Sequence, residues 1–140
     1  MKKTFLLACA VAIGSAAGSL GHEARLKIGD HDLTVEIADT TDEQARGLMN
    51  RDSLPHDRGM IFIFTEPKKA FFWMKNTSIP LDVAFLDAEG VILEIRPLIP
   101  FEETRVASTS DRVTYAIETN RDWFVSRGLK PGHQVHGLPK

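Results

Sequence analysis

FFWMKNTSIPLDVAFLDAEGVILEI, residues 71–95, carries most of the chain's structural information. Its second half contains two apolar runs, Leu81 to Leu86 and Val91 to Ile95, flanking Asp87-Ala88-Glu89-Gly90. A short polar linker with Asp and Gly joins antiparallel strands, so this half predicts a β-hairpin. The first half predicts a strand over Ala70 to Lys75. Asn76 and Thr77 then begin a turn, and Pro80 fixes the chain direction before Asp82. A plain core strand has no need of Lys75, Asn76 and Asp82 together, because buried charge costs free energy unless it is paired. The run is therefore either a structural polar knot or a binding site.

Outward from this run the chain keeps a β character. Arg25 to Ile28 and Leu33 to Ile37 alternate polar and apolar residues around Gly29-Asp30-His31-Asp32, a second hairpin pattern. Thr40 with Glu43, or Thr41 with Gln44, fits a capping box and predicts a short helix to about Met49. Asp52 to Arg58 reads as a polar loop, and Gly59-Met60-Ile61-Phe62-Ile63-Phe64 as a buried strand. Glu66-Pro67-Lys68-Lys69 reads as a turn, Pro97 and Pro100 as marks of a loop or edge, and Thr109-Ser110-Asp111 as a loop. Val113 to Glu118 predicts another strand, and Asn120 caps a second helix running to Arg127, closed by Gly128. A last short strand follows near Val135. The sum is a mainly β (α+β) domain of about eight short strands and two short helices, an antiparallel β-sandwich or barrel-like fold.

The first stretch is read apart from the fold. Lys2 and Lys3 precede a short apolar run, Phe5 to Ile13, and then the small residues Ser15-Ala16-Ala17. This is the pattern of a secretory signal peptide, too short to span a bilayer. Residues 1–21 are assigned to it, with cleavage near 17–21, and residues 22–140 to a single globular domain. A retained N-terminal anchor is the main rival. Lipidation is the other, because Leu6-Leu7-Ala8-Cys9 loosely resembles a lipoprotein cleavage box. The expected location is periplasmic or secreted. Loss of Lys2 and Lys3 takes the net charge from −2 to −4, leaving 15 basic against 19 acidic side chains. Neither value gives the basic field of a nucleic-acid binder. Cys9, the only cysteine, leaves with the leader, so thiol catalysis and disulfides are excluded from the mature domain.

The chain resembles the family catalogued as domain of unknown function 192. The likeness rests on Arg46-Gly47-Leu48-Met49 with Arg51 and Leu54, and on Gly59-Met60-Ile61-Phe62 with Phe64. Phe72-Trp73-Met74-Lys75-Asn76-Thr77 follows with Ile79-Pro80-Leu81-Asp82, and then Phe85, Asp87 and Gly90. It runs from about Leu26 to Val135. Gly128-Leu129-Lys130-Pro131-Gly132 resembles the family's closing turn, although His133 stands where an acidic residue is common. The resemblance implies a small, mostly β, often exported domain with a site in the central motif. It implies no activity.

On a regular strand Trp73 and Lys75 share one face. The functional reading gives Trp73 a stacking surface, and Lys75, Asn76, Thr77 and Asp82 a polar rim for a small ligand. Arg46, and secondarily Arg51, would add an anion clamp, because a guanidinium fork binds two oxygens at once. The ligand would be small and polar or anionic, an envelope saccharide or a peptide carboxylate. The structural reading has Asn76 and Thr77 bonding their own turn, Lys75 pairing with Asp82, and Arg46 and Arg51 serving the helix C-terminus or pairing with Asp42, Glu43 or Asp52. No cofactor is implied, and no catalytic constellation emerges: Ser53, Ser78 and Ser108 have no evident histidine partner.

Three further readings compete. Asp82, with Glu94 or Asp87, would serve an envelope hydrolase as acid or base. Met49, Met60 and Met74 all fall inside the motifs and would suit Cu(I), and cleavage after Gly21 would expose His22 as an N-terminal copper chelator; as core residues the methionines simply fill gaps. A structural or interaction domain would instead expose an apolar patch from Ile99, Phe101, Trp123 and Phe124.

Overall fold

The computed structural model describes residues 22–140, and the expected signal peptide lies outside the described residues. The order is β1 (Glu23–Ile28), β2 (His31–Ala38), α1 (Thr41–Arg46), β3 (Arg58–Lys68), β4 (Phe71–Phe72) and β5 (Leu81–Leu86). Then come β6 (Ile92–Leu98), β7 (Val106–Ala107), β8 (Val113–Asn120), a 3-10 turn (Val125–Arg127) and β9 (Val135–His136). Seven strands form one sheet in the order β6-β5-β8-β3-β2-β1-β9, and β4 pairs with β7 in a separate two-stranded ribbon. Both expected hairpins are present, β1/β2 and β5/β6.

The sheet is mixed, which corrects the expectation of an antiparallel one. β2 and β3 run parallel, Thr34 opposite Arg58 through Ala38 opposite Phe62. The reason is the connection: α1 and a long loop separate these strands, and such a crossover brings the chain back in the same direction. Among the described residues the second sheet is only the two-stranded β4–β7 ribbon, so the fold is not a sandwich of two full sheets. It is barrel-like, because the two outer strands of the sheet approach each other. Val91, beside β6, bridges Gln134, beside β9. Ile92 N–H donates to His133 O at 2.9 Å, and Val135 N–H to Gly90 O at 2.9 Å. The result is a half-barrel.

Strand alternation gives the sheet two apolar faces. The inner face takes residues from all seven strands, among them Leu26, Leu33, Ile61, Ala84, Ile92, Ile117 and Val135, and is capped by Trp123 and Phe124. The outer face takes Met60, Phe62, Val83, Phe85 and Ala116, covered by Leu48, Leu54, Met74 and Ile79 from the loops. Trp123 and Phe124 are core residues rather than part of an exposed patch; Ile99 and Phe101, at 60% and 63% exposure, are surface residues as expected.

The capping box forms. Thr40 Oγ1 accepts the Glu43 N–H at 3.1 Å, and Glu43 Oε1 accepts the Thr40 N–H at 3.1 Å. The helix stops at Arg46, short of Met49, because Gly47 turns the chain with φ 46° while its N–H still reaches Glu43 O. Thr40→Ala should lower stability by about 1 kcal/mol, read as a shift in denaturant midpoint at constant slope. An unchanged midpoint would mean that packing alone holds α1.

The expected helix from Asn120 is only a 3-10 turn. Asn120 Nδ2 is drawn to Leu54 O at 2.9 Å instead of capping, and Asp122 sits at φ 68°, where a helix cannot propagate. Gly128 does take the expected left-handed conformation, φ 72°. The turn expected at residues 66–69 is absent, because β3 continues to Lys68. The strand expected over Ala70 to Lys75 shortens to Phe71–Phe72, since Met74 N–H instead donates to Glu102 O at 2.8 Å.

Candidate functional site

A cavity of about 350 Å³ opens on the outer face, between the sheet and the cover made by α1, the Gly47–Met49 turn and the β4–β7 ribbon. Its walls are Leu48, Phe62, Phe64, Phe72, Trp73 and Met74. Phe62 and Phe72 meet edge to face with centroids 4.9 Å apart, which fixes both rings. Three exposed cations, Arg46, Lys68 and Arg105, stand at the mouth. The Trp73 ring lies beside two cations, with Lys75 Nζ 5.4 Å and Arg105 Cζ 5.7 Å from its centroid.

One acidic side chain lines the cavity, and it is buried. Glu118 is 4% exposed. On β8 it faces outward with Ala116, two residues before it. Its neighbours across the strands are Met60 on β3 and Val83 on β5, both apolar core residues. Among the described residues nothing hydrogen-bonds to its carboxylate. Burial alone pushes that carboxyl up to about 8, so the group holds a proton at neutral pH. Gly59 lets β3 approach this point: a Cβ there would lie 2.3 Å from the Glu118 backbone oxygen.

Of the residues singled out in the sequence, Trp73, Thr77 and Arg46 line the cavity, as do Met49 and Met74. Lys75 joins through the Trp73 ring. Asn76, Arg51, Met60 and Asp82 are placed elsewhere, and Thr77 also serves its own turn. Asn76 turns the chain at φ 54°, and its carbonyl accepts the N–H of Asn50, itself at φ 63°. Thr77 Oγ1 donates to Lys75 O at 2.9 Å. Arg51 grips Glu36 on β2 with two bonds, 2.5 and 2.8 Å, and holds that carboxyl below its ordinary value. Met60 packs in the core.

Asp82 does not pair with Lys75. Its Oδ2 accepts the Asp122 N–H at 2.8 Å, and Oδ1 lies 3.4 Å from Arg121 Nε. Arg121 also donates to Leu81 O and Leu98 O, so this knot ties β5, β6 and the end of β8 together. Burial raises the Asp82 carboxyl above the usual aspartate value, against the Asp122 N–H and Arg121, which lower it. Asp87 closes the β5/β6 turn by accepting from the N–H groups of Glu89 and Val91, and Glu94 accepts from Thr109. Among the described residues no cluster of three or more His, Cys, Asp or Glu side chains is arranged to hold a metal ion. Glu118 was missed in the sequence. Its signal was an acid two residues after Ala116 on one face of a strand that otherwise reads as core.

The profile of the domain of unknown function 192 family, described as Uncharacterized ACR, matches residues 24–137. The chain belongs to this family. The family's motifs are thus divided between the cavity wall and the turns around it. Two solved structures are similar. A proposed transcription regulator from Sinorhizobium meliloti 1021 is 34% identical, with a TM-score of 0.78 over 82% of this chain and 93% of that one. A protein of unknown function from Novosphingobium aromaticivorans DSM 12444 is 32% identical, with a TM-score of 0.73 over 81% of this chain and 83% of that one. No curated protein matches.

Proposed function

We propose that this protein is a small-ligand-binding module of the cell envelope, and that its ligand carries an anionic group on an apolar body. The observation that carries the reading is the cavity's composition: aromatic walls inside, three cations at the mouth, and the buried Glu118 as the one acid among the lining residues. Convergent charge beside apolar surface is how small-molecule sites fix orientation. The envelope location rests on the sequence pattern of residues 1–21. Among the described residues no helix is long and apolar enough to cross a membrane.

The test uses 4-methylbenzoate, which has an aromatic body and one carboxylate, in titration calorimetry on the signal-free chain. The expected result is binding that weakens with salt and loses about tenfold in the Arg46→Ala/Arg105→Ala double variant, or roughly 1.4 kcal/mol. Affinity that is indifferent to both changes would remove the reading.

A further inference from the structure

We infer that the cavity takes a zwitterion, with a ligand ammonium group seated on Glu118 and the ligand's anionic group held at the mouth by Arg46, Lys68 and Arg105. This rests on the binding reading above and narrows it.

Glu118 is buried between Met60 and Val83 and accepts no hydrogen bond among the described residues. A buried acid costs free energy that an apolar side chain at the same point would not. The elements packed around it offer no internal cation. β3 presents Met60, Phe62 and Phe64, with Lys68 only at the mouth. β5 presents Val83, and β4 presents Phe72. α1 contributes Arg46, and the segment before β7 contributes Arg105, both exposed. Among the described residues that line the cavity all the positive charge is outside, and the carboxyl inside stands alone.

The inner walls reinforce this. The negative faces of aromatic rings attract cations, most strongly where water is excluded. Phe62 and Phe72 line the cavity along with Glu118. An aromatic-walled chamber with a carboxyl is therefore matched to an ammonium, and the mouth is matched to an anion. A ligand satisfying both has its charges at opposite ends of a short apolar body. An ω-amino carboxylate or an amino phosphomonoester has this form, since arginine and lysine serve carboxylate and phosphate alike.

The proton provides a readout. The empty site holds a proton on Glu118 at pH 7, because burial pushes the carboxyl up to about 8. An ammonium replaces that proton and stabilises the carboxylate, so loading releases close to one proton and affinity rises with pH up to about 8. An anion accepting a hydrogen bond from protonated Glu118 would do the reverse, because it favours the protonated form.

The experiment compares 4-(aminomethyl)benzoate, 4-methylbenzoate and 4-methylbenzylamine by calorimetry at pH 6.5, 7 and 8, in two buffers of different ionisation enthalpy. A fourth probe, 4-(aminomethyl)phenylphosphonate, separates phosphate-like from carboxylate recognition. The expected result is that 4-(aminomethyl)benzoate binds at least about tenfold tighter than 4-methylbenzoate, equivalent to 1.4 kcal/mol, with proton release at pH 7. Glu118→Gln should abolish the release and bring the two probes level. If 4-methylbenzoate binds as tightly, with no proton release at pH 7 and net uptake at pH 8, the zwitterion inference falls and the binding reading stands. If no probe binds, both fall. The proton count in the unsubstituted protein stays informative even if a variant misfolds.

Discussion

Replacing Glu118 with glutamine should stabilise the protein at neutral pH by on the order of 3 kcal/mol and raise its melting temperature by roughly 10 °C. The sign follows from linkage. Below the ordinary glutamate value of 4.5 the carboxyl is protonated in folded and unfolded chains alike and its ionisation costs nothing. Between 4.5 and about 8 the unfolded chain gives up the proton and the folded chain keeps it. Stability therefore falls as pH rises through that window, and the loss is complete above it. Glutamine fills the same space and does not ionise. The gain should be absent near pH 4, grow through neutrality and level off above pH 8. Urea unfolding of both proteins at pH 4, 6 and 8 measures it. Parallel pH profiles would mean that Glu118 ionises freely in the folded state, and that water or an ion reaches it.

Gly59→Ala should have an effect of similar size and opposite sign, a loss of about 3 kcal/mol. Its origin is steric. Gly59 faces Thr119 where β3 pairs with β8, and an added Cβ would lie 2.3 Å from the Glu118 carbonyl oxygen. A backbone oxygen inside a sheet cannot swing away as the tip of a side chain can, so one of the two strands must move. Alanine ordinarily gains a few tenths to about 1 kcal/mol over glycine by restricting the unfolded chain, which offsets only part of the clash. The displacement falls at Glu118 itself, so the variant should also weaken any ligand of the cavity. Denaturant midpoints and ligand titration on the same sample check both effects. A change below about 0.5 kcal/mol, the usual range of surface substitutions, would show that β3 and β8 lie further apart at this point.

The elements written in local pattern were legible. The β1/β2 and β5/β6 hairpins follow from alternation around Gly29-Asp30 and Asp87-Gly90, and the Thr40–Glu43 box marks the start of α1. What depends on distant partners was not. Nothing in β2 or β3 encodes that they run parallel, since a strand's side-chain period is the same in either direction. Asn120 has the chemistry of a helix cap and spends it on Leu54, sixty-six residues away in sequence. The site divides in the same way. Trp73, Thr77 and Arg46 reach the cavity, and Lys75 stands beside it over Trp73. Asp82 and Arg51 have polar groups just as conspicuous, but the Asp122 N–H and Glu36 engage them, and Asn76 serves its turn through its backbone carbonyl at φ 54°. Glu118 looked like one more strand residue, because only the packed fold shows that both faces of β8 are covered.

The contact between the ends of the sheet also bears on solubility. A strand at an open margin presents unpaired N–H and C=O groups to any passing chain and can nucleate aggregation. Here the first residues of β6 are shielded by the segment before β9, through the Val91–Gln134 bridge and the bonds from Ile92 and Val135. β9 in turn covers Lys27 and Ile28 of β1. Residues 132–136 thus act as a latch over two margins at once. Their removal would take Val135 out of the inner core and uncover the margins of β6 and β1 to pairing with other chains.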